Sequence, residues 1–480
     1  MSNSPSPLEM SSAVADRSLH EPERTIRPGS PRGRIFMVTA IFPPHSMVGV
    51  VRSTKFVKYL DRLGWSADVL AYPPREPQES VDQSLISELP ATLRIHYARC
   101  LAPASGIRSV LKLVRRLAGL FRRRRPLVES NTSPSGVGLA SAARESNLYT
   151  FLRNIPDNIW PWIPMAVLRG RRPARQCDVL YSSSPPYSTH IAAYYLHLLT
   201  GLPWIADFRD PWFDNIELNV TGPRHRRMHE RWERRAIAAA RFVVLTTDEA
   251  RQRMIDRNTD LPADKFVVIP NGIDDSELPP TDHVRAASDP AAPVVLAYFG
   301  TIYSSRSPVP LFQAIRSLLD QGRIDENALR IRIVGHAPPY VAAAVDEYRL
   351  DRMVELASPV PRNEVTRTMC NSDVLLLIGS EISDQYCIAT KVYEYVAARR
   401  PIFALTPDGA VSALLRRLRL GRIVSPNDHA GIESNLLELV RSHRAGTLRP
   451  EADVDLSPFM RSSQARALAD LLERASKPRR

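Results

Sequence analysis

The chain has 480 residues, of which 44% are hydrophobic and 24% are charged, and this predicts a globular protein of two domains with tails. Its 64 basic residues outnumber its 51 acidic ones, and the formal net charge of +13 favours anionic partners such as nucleotides, phospholipids or nucleic acid. The N-terminus lacks an apolar h-region and no apolar run approaches the roughly 20 residues of a membrane span, so we expect neither a secretory signal nor a span. The 4 cysteines are far apart, so we expect a reduced cytoplasmic protein without a cysteine-bound metal.

The first elements predict the start of a doubly wound domain. Residues 1–32 are rich in Ser, Pro, Glu and Arg and predict a disordered tail. From Gly33 a buried strand (RIFMVTAIF) leads through a loop (FPPHSMVGVV) into a helix that Gly64 ends, and ADVLAY is the next strand. The alternation of strands and helices predicts a Rossmann-like first domain over residues 33–278.

A basic amphipathic stretch interrupts this domain at residues 107–125. Apolar residues recur there at helical spacing, and basic residues without acidic neighbours fill the remaining positions. This pattern is typical of a helix on an anionic membrane surface, and the alternative is a core-packing helix followed by a solvated basic turn. No aromatic residues interleave the arginines, so we expect no nucleic-acid partner. The stretch runs into a flexible insert, which we place at about residues 122–147 from its Ser, Gly and Ala content.

A second series of strands and helices predicts a second doubly wound domain. Residues 279–293 are a linker by composition, and at least five strand–helix units follow over residues 294–456. Residues 457–480 predict a closing helix and tail. Two such domains enclose a cleft, which is the usual place for a ligand.

The second domain contains a helix suited to a nucleotide. The buried run DVLLLIG and the loop SEISDQ precede a helix that begins near Thr390 and that Pro401 stops. The free amides of a helix N-terminus suit a phosphate, and Glu394, one turn further on, can accept bonds from ribose hydroxyls. The alternative is that Glu394 pairs with Lys391 on a solvated face.

Several motifs in order resemble the GT-B glycosyltransferases of family 4. FPPHSMVGVVRSTKFVKYLDRLGW resembles the acceptor-side glycine loop and first helix, and DVLYSSSPPYSTHIAA with PWIADFRDPW resembles the middle of the first domain. VIPNGID resembles the turn between domains, FGTIYSSRSP the first phosphate loop and ATKVYEYVAARRPI the donor-binding helix. The resemblance covers nearly all of the chain outside the tails. It implies a GT-B fold with two Rossmann-like domains, and retaining, metal-independent sugar transfer from a nucleotide sugar, with no cofactor.

The resemblance implies roles only for matching positions. Glu394 matches the second glutamate of the family's E-x7-E pair, which holds the donor ribose. Thr390 and Lys391 match the turn that meets the diphosphate, beside the loop of Gly300 and Thr301. Arg306 stands where the family usually has lysine, and its charge would neutralise the leaving diphosphate. Val360 matches the loop that meets the base, and Gly49 the acceptor-side loop.

The sequence departs from the family pattern at three positions, Tyr386, Thr301 and Arg209. Tyr386 stands in place of the first glutamate, and Glu381 or Asp384 in the same loop could replace it or be a plain loop acid. Thr301 stands where many relatives have a second cation.

The histidine common in the first domain aligns with Arg209. Asp207, Arg209 and Asp210 lie at the end of a strand, where ligands usually bind, and we take them as candidates for acceptor or sugar contact. Asp207 could instead be a satisfied structural cap.

The resemblance predicts a cytoplasmic glycosyltransferase in polysaccharide or glycolipid biosynthesis, and residues 107–125 favour a peripheral position at the inner face of the plasma membrane. The acceptor would be a glycan or a lipid-linked intermediate. Two alternatives are a GT-B-like sugar-nucleotide epimerase and a non-catalytic nucleotide-sugar-binding assembly protein. The sequence Asp453-Val-Asp455 spells a metal motif of another fold but follows no strand, so we expect no metal site there.

Overall fold

The computed structural model describes residues 32–45, 48–74, 83–100, 156–212, 220, 222–278, 289–449 and 454–476. Most of the predicted tail, the amphipathic stretch 107–125, the insert at 122–147 and most of the linker 279–293 therefore lie outside the described residues. None of the described helices is both long and apolar enough to cross a bilayer.

The first domain is built on a parallel sheet with the order β3-β2-β1-β4-β5-β6-β7. Its strands are β1 Gly33–Val38, β2 Trp65–Ala71, β3 Arg94–Tyr97, β4 Val179–Ser184, β5 Trp204–Phe208, β6 Phe242–Leu245 and β7 Phe266–Val268. The described helices beside it are α1 Val48–Arg62, α2 Gln83–Ser87, α3 Ile163–Ala174, α4 Ser188–Thr200, α5 Pro223–Ala239 and α6 Asp248–Arg257. Every residue of β4 and β5 is buried, as expected of central strands covered by helices on both faces.

The second domain is built on a parallel sheet with the order β10-β9-β8-β11-β12-β13. Its strands are β8 Val294–Phe299, β9 Leu329–Val334, β10 Val354–Ala357, β11 Val374–Ile378, β12 Ile402–Leu405 and β13 Arg422–Val424. Its helices are α7 Val309–Asp320, α8 Pro339–Glu347, α9 Arg362–Cys370, α10 Thr390–Ala397, α11 Ala410–Arg417 and α12 His429–Arg444. The predicted fold class, two doubly wound parallel-sheet domains, is confirmed.

Local sequence signals explain where key elements end. Helix α1 ends at Arg62, and Gly64 has the positive φ of 85° that a C-terminal glycine adopts without strain. Helix α10 ends at Ala397, before Pro401, and its Val392, Tyr395 and Val396 are buried as the helical spacing predicts.

The closing helix, α13 Arg461–Ser476, returns to the first domain. Its buried Leu468 and Leu472 share a core with Ile35 of β1 and Leu60 of α1. A bridge between Ile273 and Met460 joins the start of this return to the segment that leaves β7. The two domains are therefore connected along the chain both after β7 and before α13.

Candidate active site

The strand orders define where ligands should bind. In each sheet the order reverses between two neighbouring strands, β1 and β4 in the first domain and β8 and β11 in the second. Crevices form at the carboxyl ends of such strands because the following loops diverge. The predicted residues Gly49, Gly300, Thr301, Arg306 and Thr390 all lie in or just after loops that follow these strands.

Helix α10 presents its N-terminus at the second crevice. Its N-cap residue, Ala389, provides no side-chain hydrogen bond to the first turn. The first two helical residues are Thr390 and Lys391, both half-buried, and Glu394 lies one turn further along and is also half-buried. This end of the helix has the amide donors and partial positive charge that bind a phosphate.

Lys391 is held at this end of α10 by Tyr298, the penultimate residue of β8. The Nζ atom of Lys391 donates to the Tyr298 hydroxyl at 2.8 Å and lies 4.0 Å from the centroid of its ring. Burial, together with the charge of Arg306, lowers the pKa of Lys391 to about 7, and Asp384 and Glu394 offset this only in part. At neutral pH the Lys391 side chain is therefore partly uncharged, and a nearby anion would favour its charged ammonium form.

Arg306 is the second cation of the site. It lies in the loop after β8, and its Nη2 atom is 3.4 Å from Oδ1 of Asp384, in the loop after β11. The Asp384 side chain is only 5% exposed, and burial raises its pKa although Arg306 partly offsets this effect. Arg306 and Asp384 thus link the two loops at the crevice between β8 and β11.

The loop after β8, which contains Gly300, passes close to the loop after β9. Gly335 has a φ of 141°, and a Cβ there would lie 2.2 Å from the carbonyl oxygen of Gly300. The Tyr298 hydroxyl donates to the carbonyl oxygen of Thr301 at 2.9 Å, which fixes this loop relative to Lys391. Val360, beyond β10, is half-buried and packs against the core beside α10.

The two loop acids have different environments. Glu381 is exposed and accepts a hydrogen bond from Asn427 at 3.1 Å, whereas Asp384 is buried and paired with Arg306. Of the two, Asp384 is therefore the one that lies beside the predicted diphosphate-binding residues.

Tyr386, which replaces the family's first glutamate, is part of the first domain's packing. It is 5% exposed and belongs to the same hydrophobic core as Phe208 and Trp212. Its carbonyl oxygen accepts a hydrogen bond from Thr247 of the first domain at 2.6 Å. The residue thus connects the loop of the second domain with the first domain.

Arg209, in the loop after β5, contacts Gly49, at the start of α1. The guanidinium donates to the carbonyl oxygens of Gly49 at 2.8 Å and Pro185 at 3.1 Å. A Cβ at Gly49 would lie 2.4 Å from Nη1 of Arg209, so the glycine permits this approach. Asp210 lies next to it, with its carboxylate 3.7 Å from Nε of Arg209 and its side chain 41% exposed.

Asp207 has structural partners on both carboxylate oxygens. Arg52 donates to them at 2.9 and 3.2 Å, and Tyr181 and Ser183 also donate to Oδ2. Burial opposes the charged carboxylate, but Arg52 and these hydrogen bonds outweigh it and lower the pKa of Asp207. This geometry favours the structural alternative for Asp207 over contact with a substrate.

Sequence reasoning missed Tyr298 and Arg52. Tyr298 lies two residues before Gly300 on a buried strand, and Arg52 lies three residues after Gly49 in α1. Each position adjoins a predicted site residue, and that adjacency is the signal that could have found them. Within the described part of the chain, no group of three or more His, Cys, Asp or Glu residues could hold a metal ion.

Parts of the chain are similar in sequence to known glycosyltransferases. A family model described as "Glycosyl transferase 4-like domain" matches residues 152–272. The putative colanic acid biosynthesis glycosyltransferase WcaL of Escherichia coli (strain K12) is 26% identical over 194 residues, which are 40% of this chain and 40% of that protein. The chain is thus aligned with only two fifths of this relative's length.

The solved structures that resemble this chain share its two-domain architecture. Sucrose-phosphate synthase from Thermosynechococcus elongatus superposes with a TM-score of 0.59 and 12% identity, over 92% of this chain and 99% of that chain. Anabaena HepE, solved in complex with UDP and glucose, gives a TM-score of 0.53 and 12% identity, over 92% and 97%. At this identity the likeness concerns the fold, which is GT-B. The chain therefore has the GT-B fold, and its residues 152–272 are similar to the glycosyl transferase 4-like domain.

Proposed function

We propose that this protein transfers a sugar from a nucleoside diphosphate sugar to a glycan or lipid-linked acceptor. The observation that carries the proposal is the convergence of Arg306, Lys391 and the uncapped N-terminus of α10 at the crevice between β8 and β11. Two cations beside a helix N-terminus suit a diphosphate. Glu394, one turn into α10, is then placed to accept bonds from ribose hydroxyls. HepE, which shares the fold, was solved with UDP, so UDP is the first nucleotide to test.

The proposed chemistry depends on stabilising a leaving group. The bond between the sugar's anomeric carbon and the diphosphate breaks as negative charge builds on the phosphate oxygen. Arg306 and Lys391 lie where they would neutralise that charge, and this is our reason for proposing that the reaction runs without a metal ion. Asp384 pairs with Arg306, which would turn from it towards a bound diphosphate.

We infer that transfer retains the anomeric configuration. The acceptor hydroxyl forms its bond to the anomeric carbon on the face that the diphosphate leaves, and its proton passes to the leaving phosphate oxygen. This route requires no separate base, which agrees with Arg209 standing at the position where relatives have histidine. Arg209 and Asp210 would contact the acceptor or the sugar across the cleft.

The acceptor belongs to cell-surface carbohydrate biosynthesis in this proposal. The match to WcaL, which is named for colanic acid biosynthesis, supports a polysaccharide or glycolipid acceptor. We propose that the enzyme works in the cytoplasm, where nucleotide sugars are the donors.

The test is transfer from radiolabelled UDP-sugars to a total lipid and polysaccharide extract, with UDP release measured in parallel. We expect Arg306→Gln to lower kcat by about a hundredfold, because it removes one of two charges that stabilise the leaving group. The matched control is Arg316→Gln, on the exposed side of α7 where Arg316 pairs with Asp320. Equal turnover in the wild type and Arg306→Gln would overturn the assignment.

The same assay separates the alternative functions. An epimerase would convert the donor sugar without an acceptor, and a non-catalytic binding protein would bind UDP but release no product. Transfer that requires an acceptor supports the proposal against both.

A further inference from the structure

The first domain exposes apolar side chains on two neighbouring helices, α3 and α4. These side chains are more exposed than expected for large hydrophobic residues: Leu168 at 51%, Tyr195 at 40%, Leu198 at 59% and Leu199 at 50%. We call the surface formed by these residues and the arginines beside them the outer face. A set of neighbouring exposed apolar side chains is typical of an interaction surface.

The helices of the outer face are packed side by side. Helix α3 packs against α4, and Arg175 at the end of α3 donates to the carbonyl oxygen of Leu199 at 3.4 Å. Tyr195 of α4 contacts Trp232 of α5, with ring centroids 6.0 Å apart. The exposed apolar side chains of α3 and α4 therefore lie on two neighbouring helices, and Tyr195 extends this face to α5.

Arginines surround these apolar side chains. On α3 and just after it the exposed basic residues are Arg169, Arg171, Arg172 and Arg175. On α5, Arg231 and Arg235 are exposed, and the Arg235 guanidinium lies 5.1 Å from the Trp232 ring centroid. The sequences of α3 and α4 contain no Asp or Glu. The positive charge beside the apolar residues is thus not offset from within these two helices.

We propose that the outer face docks on an anionic phospholipid bilayer. Apolar side chains that enter the acyl region, flanked by arginines that meet anionic headgroups, are the pattern of interfacial membrane binding. A second copy of the chain would bring two arginine-rich faces together. A nucleic acid would engage the arginines but would leave the leucines exposed, so a bilayer suits the whole surface best.

The segment 107–125 of this chain is a less suitable occupant. It carries a dense run of arginines that ends at Arg125, so it has the same charge sign as the outer face. Like charges repel, whereas both would be attracted by the same anionic surface.

Docking on the outer face leaves the cleft accessible. Helices α3 and α4 precede and follow β4 and run against its direction, so Leu198, Leu199 and Arg175 lie towards the amino end of the strand. The candidate active site lies at the carboxyl ends. The proposal does not depend on the proposed function, since a protein without transferase activity could dock in the same way.

The test is flotation of the full chain with phosphatidylcholine vesicles, with and without phosphatidylglycerol. We expect the wild type to float only with the anionic vesicles. The double variants Leu198→Gln/Leu199→Gln and Arg171→Gln/Arg172→Gln should each weaken partition by about tenfold or more, the first through lost apolar insertion and the second through lost charge. UDP binding, or circular dichroism, reports whether each variant is folded.

Matched controls lie on the second domain. The exposed Leu356 and Ile382, changed together to Gln, and Arg441 and Arg444 on α12, changed together to Gln, should leave flotation unchanged.

Any of four results would overturn the proposal. The first two are a wild type that does not float and outer-face variants that float like the wild type. The third is that flotation is lost only when Arg122 to Arg125 are changed to Ser. The fourth is that the outer face binds DNA or a second copy of the chain but no vesicles.

Discussion

At the scale of single residues, Lys391 gives the candidate site its pH dependence. Its pKa of about 7 means that the side chain loses its charge as the pH rises through neutrality. A bound diphosphate favours the charged form and raises this pKa, so binding takes up a proton above pH 7. We expect UDP affinity to fall by up to about tenfold per pH unit above neutrality, as measured by calorimetry between about pH 7 and 9.

Two variants of Lys391 serve as controls for this prediction. Lys391→Arg keeps its charge throughout this range and should bind tightly without the pH dependence. Lys391→Met should bind weakly at every pH. A wild type whose affinity stays constant above neutrality would show that Lys391 does not meet the diphosphate.

Tyr386, which stands in place of the family's first glutamate, packs in a hydrophobic core in this protein. Its ring lies in the first domain's core, so Tyr386→Glu would bury a carboxylate among apolar side chains. We expect this change to lower the free energy of unfolding by about 3 kcal/mol, measured by chemical denaturation. Tyr386→Phe keeps the ring and should cost about 1 kcal/mol at most. If Tyr386→Glu instead raised turnover without loss of stability, the position would belong to the sugar site.

At the scale of elements, the first turn of α1 and the loop after β5 meet through Gly49 and Arg209. A methyl group at Gly49 would collide with the Arg209 guanidinium, so Gly49→Ala should displace it and lower turnover by about tenfold, although alanine favours the helix itself. A double-mutant cycle with Arg209→Ala measures this. In the Arg209→Ala background, Gly49→Ala should have no further effect on turnover, whereas additive losses would mean that the two residues act separately.

The sequence predicts elements better than it predicts contacts between them. The bounds of α10 follow from a buried run before it and Pro401 after it, so the helix and its place in the crevice could be predicted. The contact of Tyr386 with the first domain could not be predicted, because Thr247, which donates to its carbonyl oxygen, is 139 residues away in the chain. Asp207 and Arg52 are 155 residues apart, and so the structural role of Asp207 was one of two open alternatives.

At the scale of the whole molecule, Arg52 and Asp207 connect the first sheet with the segment that leads to the second domain. Arg52 is 1% exposed, and besides Asp207 it donates to the carbonyl oxygens of Ile269 and Pro270. Asp207→Asn leaves a buried guanidinium without its counter-charge. We expect the free energy of unfolding to fall by about 3 kcal/mol or more, with turnover per folded molecule retained.

The pair of Arg52 and Asp207 also determines the control variant and the expected pH dependence of the free energy of unfolding. Asp210→Asn, at the partly exposed neighbouring acid, should cost less than about 1 kcal/mol. Because the pKa of Asp207 is lowered in the folded protein, its contribution to stability is complete above the pKa of an unfolded aspartate, about 3.9, and is lost as the pH falls further. A stable Asp207→Asn protein without turnover would instead make Asp207 part of the chemistry.

The most direct test of the account is UDP binding to the wild type, Glu394→Gln and Glu381→Gln, measured by titration calorimetry. The two glutamates flank the same crevice, but Glu394 lies one turn into α10, whereas Glu381 is exposed and faces Asn427. We predict that the wild type binds UDP, that Glu394→Gln weakens binding by about tenfold through loss of the charged hydrogen bonds to ribose, and that Glu381→Gln binds like the wild type. A wild type that binds no nucleoside diphosphate, or equal losses in both variants, would contradict the placement of the donor at α10.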